Sequence, residues 1–336
     1  MTRRVGAIDC GTNSIRLLIA DITPESEGTQ RDKERGLGAP GTASAPPLAD
    51  VTRQMRIVRL GEGVDRTGRL SPAALSRTMT ALSEYAGMIA EAQPEAVRMV
   101  ATSATRDAAN SQEFTDRVLA ILGVAPEVIS GYEEARLSFA GATRELAGTR
   151  LAAEGQCPPP YLITDIGGGS TEFILGGPEG IGGASSVNIG CVRLTERHLH
   201  GDPPLAAQTK ATIEDVDAAL DRVAAAVHVD EARTLVGLAG SVTTVAAIAL
   251  GLTEYDSARI HHSRVSAGRV HQIAASLLAM TRAERAAIPV MHPGRVDVIG
   301  AGALILDRIM TRFGFTEVLV SEHDILDGIA WSLVRG

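Results

Sequence analysis

The sequence predicts a two-domain α/β protein built as a duplication, with a cleft between two similar halves. The first observation is a pair of matching segments, Ala7–Ile19 and Thr164–Leu175, each of which reads as a strand, a tight Gly-rich turn and a second strand. Strand-like and helix-like runs then alternate through both halves of the chain. Two hairpins that open equivalent halves indicate a cleft between them. Alignment of the segments pairs Asp9 with Asp165, Gly11 with Gly167, Ser14 with Ser170, and Arg16 with Glu172.

The strands are predicted from short runs of β-branched and apolar residues bounded by turn residues. Residues 24–52 contain much Gly, Pro, Ser and charge and no aromatic residue, which indicates a flexible loop after the first hairpin. The remaining predicted strands are Gln54–Leu60, Val97–Ala101, Glu127–Ser130, Tyr161–Asp165, Glu172–Leu175, Ser185–Ile189, Thr234–Leu238 and Glu317–Val320.

The helices are predicted from apolar residues spaced three and four positions apart. The clearest helix begins at Ser71 and Pro72, a capping residue followed by proline, and carries Leu75, Met79 and Leu82 on one face. We expect these apolar faces to form the core. The other predicted helices span residues 111–122, 132–147, 209–228, 241–250, 266–280, 296–313 and 323–334.

The composition limits the kinds of protein that this chain can be. At 336 residues and 45% apolar composition, the chain can bury the cores of two domains. No window reaches the ~18 uninterrupted apolar residues of a membrane span and the N-terminus lacks a secretory pattern, so we expect a cytoplasmic protein without a membrane partner. The net charge of −8 argues against general binding of nucleic acid. Cys10, Cys157 and Cys191 are far apart and indicate neither a disulfide framework nor a zinc site.

The two Gly-rich turns are candidates for phosphate binding. Small residues allow backbone N–H groups to converge on an anion, and two such turns that face each other would hold a phosphate chain from both sides. Gly240 and Ser241 offer a third candidate where a strand ends and a helix begins, with Ser241 as the predicted N-cap. The turn candidates are Gly11, Thr12, Asn13, Ser14, Gly167, Gly168, Gly169, Ser170 and Thr171.

Three carboxylates are candidates for binding a metal ion. Asp9 and Asp165 would face the cleft from opposite sides, and Glu172 adds a third oxygen ligand. Carboxylates that approach each other repel unless a cation lies between them, so Mg²⁺ with retained waters is the expected guest. The alternative for each residue is an ordinary polar side chain at a strand end.

A pair of glutamates is the candidate for catalysis. Glu133 and Glu134 lie in the first turn of a predicted helix. Acidic side chains there are stabilised by the helix dipole, which is a sufficient structural reason for one of the two glutamates. The other would act as a general base that orients and deprotonates a water for attack on a terminal phosphorus. Arg106 follows an apolar strand and is either a phosphate ligand or an ordinary surface arginine. A basic run, Arg259–Arg264 together with Arg269, either offsets the negative net charge for a polyanion or is an ordinary solvated surface.

Together these segments resemble the exopolyphosphatase / guanosine pentaphosphate phosphatase family, within the superfamily of acetate and sugar kinases, heat-shock chaperones and actin. The resemblance covers most of the chain and is most specific at Asp165-Ile-Gly-Gly-Gly-Ser-Thr-Glu172 and Ser130-Gly-Tyr-Glu-Glu-Ala135. It implies a duplicated actin-like (ribonuclease H-like) fold. Domain I would comprise residues 1–129 and domain II residues 130–320, with a C-terminal helix at about 321–336 packing back on domain I.

The resemblance also implies a chemistry, the hydrolysis of a terminal phosphoanhydride with Mg²⁺, or with Mn²⁺ as the alternative ion. The family's catalytic glutamate falls on Glu134, with Glu133 as the alternative, and its phosphate arginine falls on Arg106. Longer relatives continue into C-terminal helical domains, so the resemblance is to the short two-domain form and to action on shorter polyphosphate chains. A homodimer is implied by the resemblance alone. The family's metal and phosphate residues fall on Asp9, Asp165, Gly167, Ser170 and Glu172.

The leading hypothesis is an exopolyphosphatase that releases orthophosphate from the end of inorganic polyphosphate. Removal of the 5′-phosphate of guanosine pentaphosphate would use the same atoms and is the alternative. A sugar or acetate kinase would require an acceptor-binding domain and an aspartate in place of the glutamate pair. A non-catalytic sensor of polyphosphate or of an alarmone would have no need of a base at Glu134.

Overall fold

The structure is a computed structural model that describes residues 2–23, 48–146 and 149–334. Within these ranges the strands form a five-stranded and a six-stranded sheet. The first sheet contains β1 (Arg3–Cys10), β2 (Ser14–Ile22), β3 (Leu48–Ile57), β4 (Ala96–Ala101) and β5 (Glu127–Val128). The second contains β6 (Tyr161–Ile166), β7 (Thr171–Gly177), β8 (Gly180–Val187), β9 (Thr234–Leu238), β10 (Arg264–Ser266) and β11 (Glu317–Val320).

The two sheets share one topology. The first has the order β3-β2-β1-β4-β5 and the second the order β10-β11-β9-β6-β7-β8. In each sheet the first strand pairs antiparallel with the second, the second pairs antiparallel with the third, and parallel strands lie on the other side of the first strand. Strand β10 adds an antiparallel edge to the second sheet. This repetition confirms the predicted duplicated actin-like α/β architecture.

Helices cover the sheets and connect their strands. Those that precede the second sheet in the chain are α1 (Val64–Thr67), α2 (Pro72–Ala92), α3 (Ser103–Asp107), α4 (Ser111–Leu122), α5 (Gly131–Leu146) and α6 (Arg150–Ala153). The later ones are α7 (Cys191–His198), α8 (Ala206–Ala226), α9 (Ala239–Ala249), α10 (Ser257–Ile260), α11 (Ala267–Ala279), α12 (Arg282–Ala286), α13 (Ile299–Phe313) and α14 (Ile325–Ser332). Short 3₁₀ helices span Val229–Glu231 and Pro293–Arg295.

Strands β1 and β2 of the first sheet are buried on both faces because helices pack on each of them. Alternate residues of β1 and β2 point to opposite sides, as the strand period of two requires. Ile8 and Leu17 pack with α2 and α4, whereas Ala7 and Leu18 pack with α5 and α14. Helix α14, at the end of the described chain, therefore lies on the first sheet although the strand before it belongs to the second.

Helix α5 lies between the two halves. Its Leu137 packs into the cluster under the first sheet, and its Phe139 packs against the second sheet. It crosses α14 at a very short distance, since a Cβ on Gly328 would lie 2.7 Å from the carbonyl carbon of Leu137. Such an approach requires glycine. The crossing holds the start of α5, where Glu134 lies, in a defined position.

Several predicted elements differ from the structure. Residues 48–52, predicted as part of a loop, form the first half of β3, while residues 24–47 of that loop lie outside the described residues. Ser241 is not an N-cap, because α9 begins at Ala239 with Leu238 as its N-cap. The short helices, α7 and the three-residue strand β10 were not predicted, since each is too short to show a clear period.

We propose the domain division at residues 129 and 130 because the two sheets separate there, immediately before α5. No helix within the described ranges is both long enough and apolar enough to span a membrane.

Candidate active site

The two Gly-rich hairpins have the same local geometry. In the first, the Gly11 N–H donates to the Ser14 carbonyl at 2.9 Å, and in the second, the Gly167 N–H donates to the Ser170 carbonyl at 3.1 Å. Strand pairing places Arg16 opposite Asp9 in the first hairpin. It places Glu172 opposite Asp165 in the second. The two turns are thus equivalent in backbone and opposite in the charge of the residue that faces the aspartate.

The hairpins meet at a cavity of about 570 Å³. Its walls come from both sheets, from the start of α5 and α9, and from the segment before α14. Arg106, Gly169, Thr171 and Glu172 do not contribute to its lining. The predicted site residues that line it are Asp9, Gly11, Thr12, Asn13, Ser14, Glu134, Asp165, Gly167, Gly168, Ser170, Gly240 and Ser241.

The two turns touch each other at the floor of the cleft. A Cβ on Gly168 would lie 3.0 Å from the Cβ of Thr12 and 3.2 Å from the backbone nitrogen of Asn13. A Cβ on Gly169 would lie 2.7 Å from Oγ1 of Thr12 and 2.6 Å from Oγ of Ser103. Glycine at these two positions therefore allows the halves to close. Gly169 serves this contact and does not face the cavity.

Thr171 has a structural role. Its side chain is fully buried, and its hydroxyl donates to the Ile189 carbonyl. The sequence placed Thr171 among the phosphate ligands because it follows Ser170 in the turn. It is the first residue of β7, so its side chain points away from Ser170 and into the fold.

Glu134 is the buried member of the glutamate pair. Its carboxylate lines the cavity, and Oε2 accepts a hydrogen bond from Nη1 of Arg106 at 3.2 Å. Burial and then the charge of Glu172 raise the pKa of Glu134 well above its ordinary value, while Arg106 opposes the rise. A carboxylate with a raised pKa is a stronger base than an ordinary glutamate.

Glu133 points away from the cavity. It accepts hydrogen bonds from Arg136 at 2.7 and 2.8 Å and lies 3.6 Å from Arg98. The hydrogen bond from Arg136 is the main reason why the pKa of Glu133 lies below its ordinary value. Glu133 therefore stabilises the outer surface of α5.

Asp165 and Glu172 form a buried acidic pair. Asp165 accepts a hydrogen bond from Ser138 at 2.8 Å, and Glu172 accepts one from Ser186 at 2.7 Å. Burial and then the charge of Glu172 raise the pKa of Asp165 to about 8. Burial also raises the pKa of Glu172, against the hydrogen bonds from Ser186 and Ser170. Two negative charges held this close favour a cation.

Asp9 is paired differently. Nε and Nη2 of Arg16 donate to its Oδ2 at 3.0 and 2.7 Å, and Nη1 of Arg16 donates to Asp324. Burial raises the pKa of Asp9, while the charge of Arg16 lowers it. Among the described residues, neither Oδ1 of Asp9 nor Oδ1 of Asn13 has a hydrogen-bond partner, although both atoms are buried.

These observations fit a divalent cation bound mainly through water. The unpartnered buried oxygens are acceptors, which a cation or its waters would satisfy. Within the described ranges, no three His, Cys, Asp or Glu side chains converge as a complete metal site. Mg²⁺ is commonly held by one or two carboxylates together with waters and substrate phosphates, and such a site needs no protein cage.

Some residues of the cleft were not identified from the sequence as site residues. Arg16 and Asp324 line the cavity beside Asp9. The only sequence feature that pointed to Arg16 was its alignment with Glu172, and no sequence feature pointed to Asp324. Arg295 also lines the cavity and donates to Oγ1 of Thr244 at 3.2 Å. Burial lowers the pKa of Arg295. It is a candidate anion ligand, and the short segment around it gave no motif.

The basic run does not reach the cleft as a unit. Arg264 lies in β10, where it donates to Glu317 on the neighbouring strand and to the carbonyl of Gln156. These partners are at the edge of the second sheet. The predicted role of Arg259–Arg264 in offsetting the net charge is therefore not supported at Arg264.

The repeated sheets and the acidic cleft between two Gly-rich hairpins define an actin-like α/β protein equipped to act on phosphate groups. The chain belongs to the Ppx/GppA phosphatase family, whose model matches residues 41–335.

The chain is similar to relatives along nearly its whole length. It is 47% identical to Exopolyphosphatase 2 of Mycobacterium tuberculosis, over 98% of each chain. It is 27% identical to the guanosine-5′-triphosphate,3′-diphosphate pyrophosphatase of Aeromonas hydrophila, over 98% of this chain and 59% of that protein. The crystal structure of an exopolyphosphatase-like protein matches with a TM-score of 0.86 and 41% identity, over 98% of both chains.

Proposed function

We propose that this protein is an exopolyphosphatase that hydrolyses the terminal phosphoanhydride of inorganic polyphosphate. The observation that carries the proposal is Glu134, a buried carboxylate with a raised pKa that faces the same cavity as both Gly-rich turns. Similarity to Exopolyphosphatase 2 over the whole chain supports the choice of substrate.

The reaction assigns a separate task to each group. Glu134 orients a water and accepts its proton while the water oxygen bonds to the terminal phosphorus. The bond from that phosphorus to the bridging oxygen breaks, and the shortened polyphosphate leaves with the electron pair. Backbone N–H groups of the two turns stabilise the charge on the transferring group. Arg106 holds the carboxylate of Glu134, whereas its direct contact with phosphate stays a prediction, since Arg106 does not line the cavity.

We propose Mg²⁺, with Mn²⁺ as the alternative, as the cation of this site. Asp9, Asp165 and Glu172 are the residues that would hold it, the last through its neighbours or waters. The ion would supply a positive charge that stabilises the charge developing on the phosphate oxygens. Homodimer formation, a cytoplasmic location and a preference for shorter chains stay predictions.

Hydrolysis of guanosine pentaphosphate is the second candidate. Part of the cavity wall is apolar and includes Met55, Ile57, Val290 and Met291, with Tyr255 nearby on the same lining. A purine stacks on such a surface more readily than a polyphosphate does. The similarity to the Aeromonas enzyme also supports this candidate.

Phosphate release from three substrates tests the proposal. Short-chain polyphosphate, long-chain polyphosphate and guanosine pentaphosphate are compared with Mg²⁺ present, for the parent protein and for Glu134→Gln. We expect release from short-chain polyphosphate to fall by at least about 100-fold in the variant. Glu133→Gln is the matched control, since its carboxylate lies on the outer surface, and it should retain activity. Unchanged release by Glu134→Gln would refute the assignment, and release from the nucleotide alone would establish the second candidate.

A further inference from the structure

The contact between Arg16 and Asp9 is one-sided. Both donor atoms that reach Asp9, Nε and Nη2, bind the single oxygen Oδ2. The other oxygen, Oδ1, is buried and has no partner among the described residues. An arginine fork usually spans both oxygens of a carboxylate, which makes two parallel hydrogen bonds. Another contact must therefore hold the guanidinium away from Oδ1.

Asp324 supplies that contact. Its Oδ2 accepts a hydrogen bond from Nη1 of Arg16. Its Oδ1 accepts one from the backbone N–H of Leu326 at 3.0 Å, because Asp324 is the N-cap of α14. The carboxylate is thus fixed by the helix backbone, and both Asp9 and Asp324 are almost fully buried. A fixed carboxylate on one side determines how the guanidinium meets Asp9 on the other.

We propose that Asp324 and Arg16 are positioning residues for the cation of the cleft. Asp324 holds Arg16, Arg16 holds Oδ2 of Asp9, and Oδ1 is left to bind the cation or one of its waters. This inference rests on the proposed function insofar as the cation serves phosphoanhydride hydrolysis. Asp324 lies between β11 of the second sheet and α14 on the first, so the relay also connects Asp9 to the junction of the two halves.

Asp324→Asn tests the relay, because asparagine keeps the capping oxygen and removes the charge that holds Arg16. The guanidinium is then free to cover both oxygens of Asp9. We expect Mn²⁺ affinity, measured by electron paramagnetic resonance titration without substrate, to weaken about tenfold. The Mg²⁺ concentration for half-maximal phosphate release should rise by the same factor, with the rate at saturating Mg²⁺ within about twofold of the parent rate. Arg16→Lys keeps the charge without the fork and should weaken Mn²⁺ binding in the same direction.

Asp327→Asn is the matched control. Asp327 is also buried at the same end of α14 and accepts the backbone N–H of Asp324 in the capping box, a bond that asparagine can keep. Its side-chain ion pairs are with Arg53 at 2.6 Å and His323 at 2.8 Å and do not include Arg16. This variant should lower the melting temperature and leave Mn²⁺ affinity unchanged.

Three outcomes would overturn the inference: unchanged Mn²⁺ affinity in Asp324→Asn and Arg16→Lys, equal weakening in Asp327→Asn, or a parent protein that binds no Mn²⁺. If the parent protein binds Mn²⁺ and Asp324→Asn weakens that binding, yet no substrate is hydrolysed, the positioning role stands and the proposed function fails. The two proposals are therefore distinguishable.

Discussion

Glu172 lies directly opposite Asp165 in the pairing of β6 with β7. In the pairing of β1 with β2, the residue opposite Asp9 is Arg16. The two hairpins thus repeat one backbone geometry with opposite electrostatics. In the first hairpin the aspartate has a positively charged partner, Arg16. In the second hairpin two acidic side chains, Asp165 and Glu172, lie together in a buried site. A cation in the cleft would compensate the second hairpin.

The stability of the metal-free protein should fall as the pH rises. Asp165 has a pKa of about 8 in the folded protein against an ordinary value of 3.8, so between these values the folded state keeps a proton that the unfolded state has lost. The free energy of unfolding therefore decreases with pH through this window, by up to about 1.4 kcal/mol per pH unit for one group. Thermal unfolding in a chelator between about pH 6 and about pH 9 would measure the decrease. Asp165→Asn should reduce the slope, and a slope equal to that of the parent would contradict the assignment.

Replacement of Arg106 by alanine should shift the pH dependence of catalysis. Arg106 opposes the rise in the pKa of Glu134, so its removal should raise that pKa further and move the acid limb of the kcat/KM profile to higher pH. The rate at neutral pH should fall by about 100-fold or more, as expected for a misplaced and protonated base. Arg136→Ala, which loses a contact to the outward-facing Glu133, is the control and should leave the profile in place. An acid limb that does not move in Arg106→Ala would count against the contact.

Gly168→Ala should separate the two turns. Its Cβ would meet the Cβ of Thr12 at 3.0 Å and the backbone of Asn13 at 3.2 Å, so the floor of the cleft must widen. Contacts at these distances require the neighbours to move by a few tenths of an ångström, whereas the cores of the two halves are untouched. Because a displacement of about 1 Å can reduce catalysis by about 100-fold, we expect a smaller but measurable loss of phosphate release with little change in melting temperature. Gly182→Ala is the control, since its Cβ would meet only the Leu175 carbonyl at 3.7 Å. Equal activity in both variants would show that the turns need not touch.

Arg193→Ala should weaken the contact between the halves. Arg193 donates to the carbonyl of Gly169 at 2.8 Å and to Asp65 and Asp107 of the first half, and its side chain is only 11% exposed. Loss of a buried cation with three partners should lower the free energy of unfolding by about 3 kcal/mol. Urea denaturation would measure this loss. Arg312→Ala removes a pair with Asp221 that is mostly exposed and should cost less than about 1 kcal/mol. Equal losses in the two variants would contradict this account.

The sequence was most informative where structure depends on neighbouring residues. The strands Thr234–Leu238 and Glu317–Val320 and the helix at 111–122 were predicted with the bounds that the structure has, because apolar runs and turn residues mark their ends. The first half of β3 was missed. It is an edge strand with mostly exposed or half-buried side chains, so residues 48–52 lack the apolar pattern that identifies a strand.

Contacts between distant residues could not be predicted in this way. Arg16 and Asp324 are 308 positions apart, and no local pattern relates them. The same holds for Gly169, which the motif assigns to phosphate but which the structure places against Thr12 and Ser103. Thr171 likewise faces the interior because it begins β7, a consequence of strand alternation relative to the turn.

By itself the sequence determined the duplicated α/β architecture and the two Gly-rich hairpins, since strand periodicity and turn chemistry act over a few neighbouring residues. Only the tertiary structure decided that Glu134 is buried and Glu133 is not, and that Asp9 is paired while Asp165 and Glu172 face each other. Burial and ion pairing depend on which surfaces meet after the chain folds. They set the pKa values and orientations from which the proposed chemistry follows.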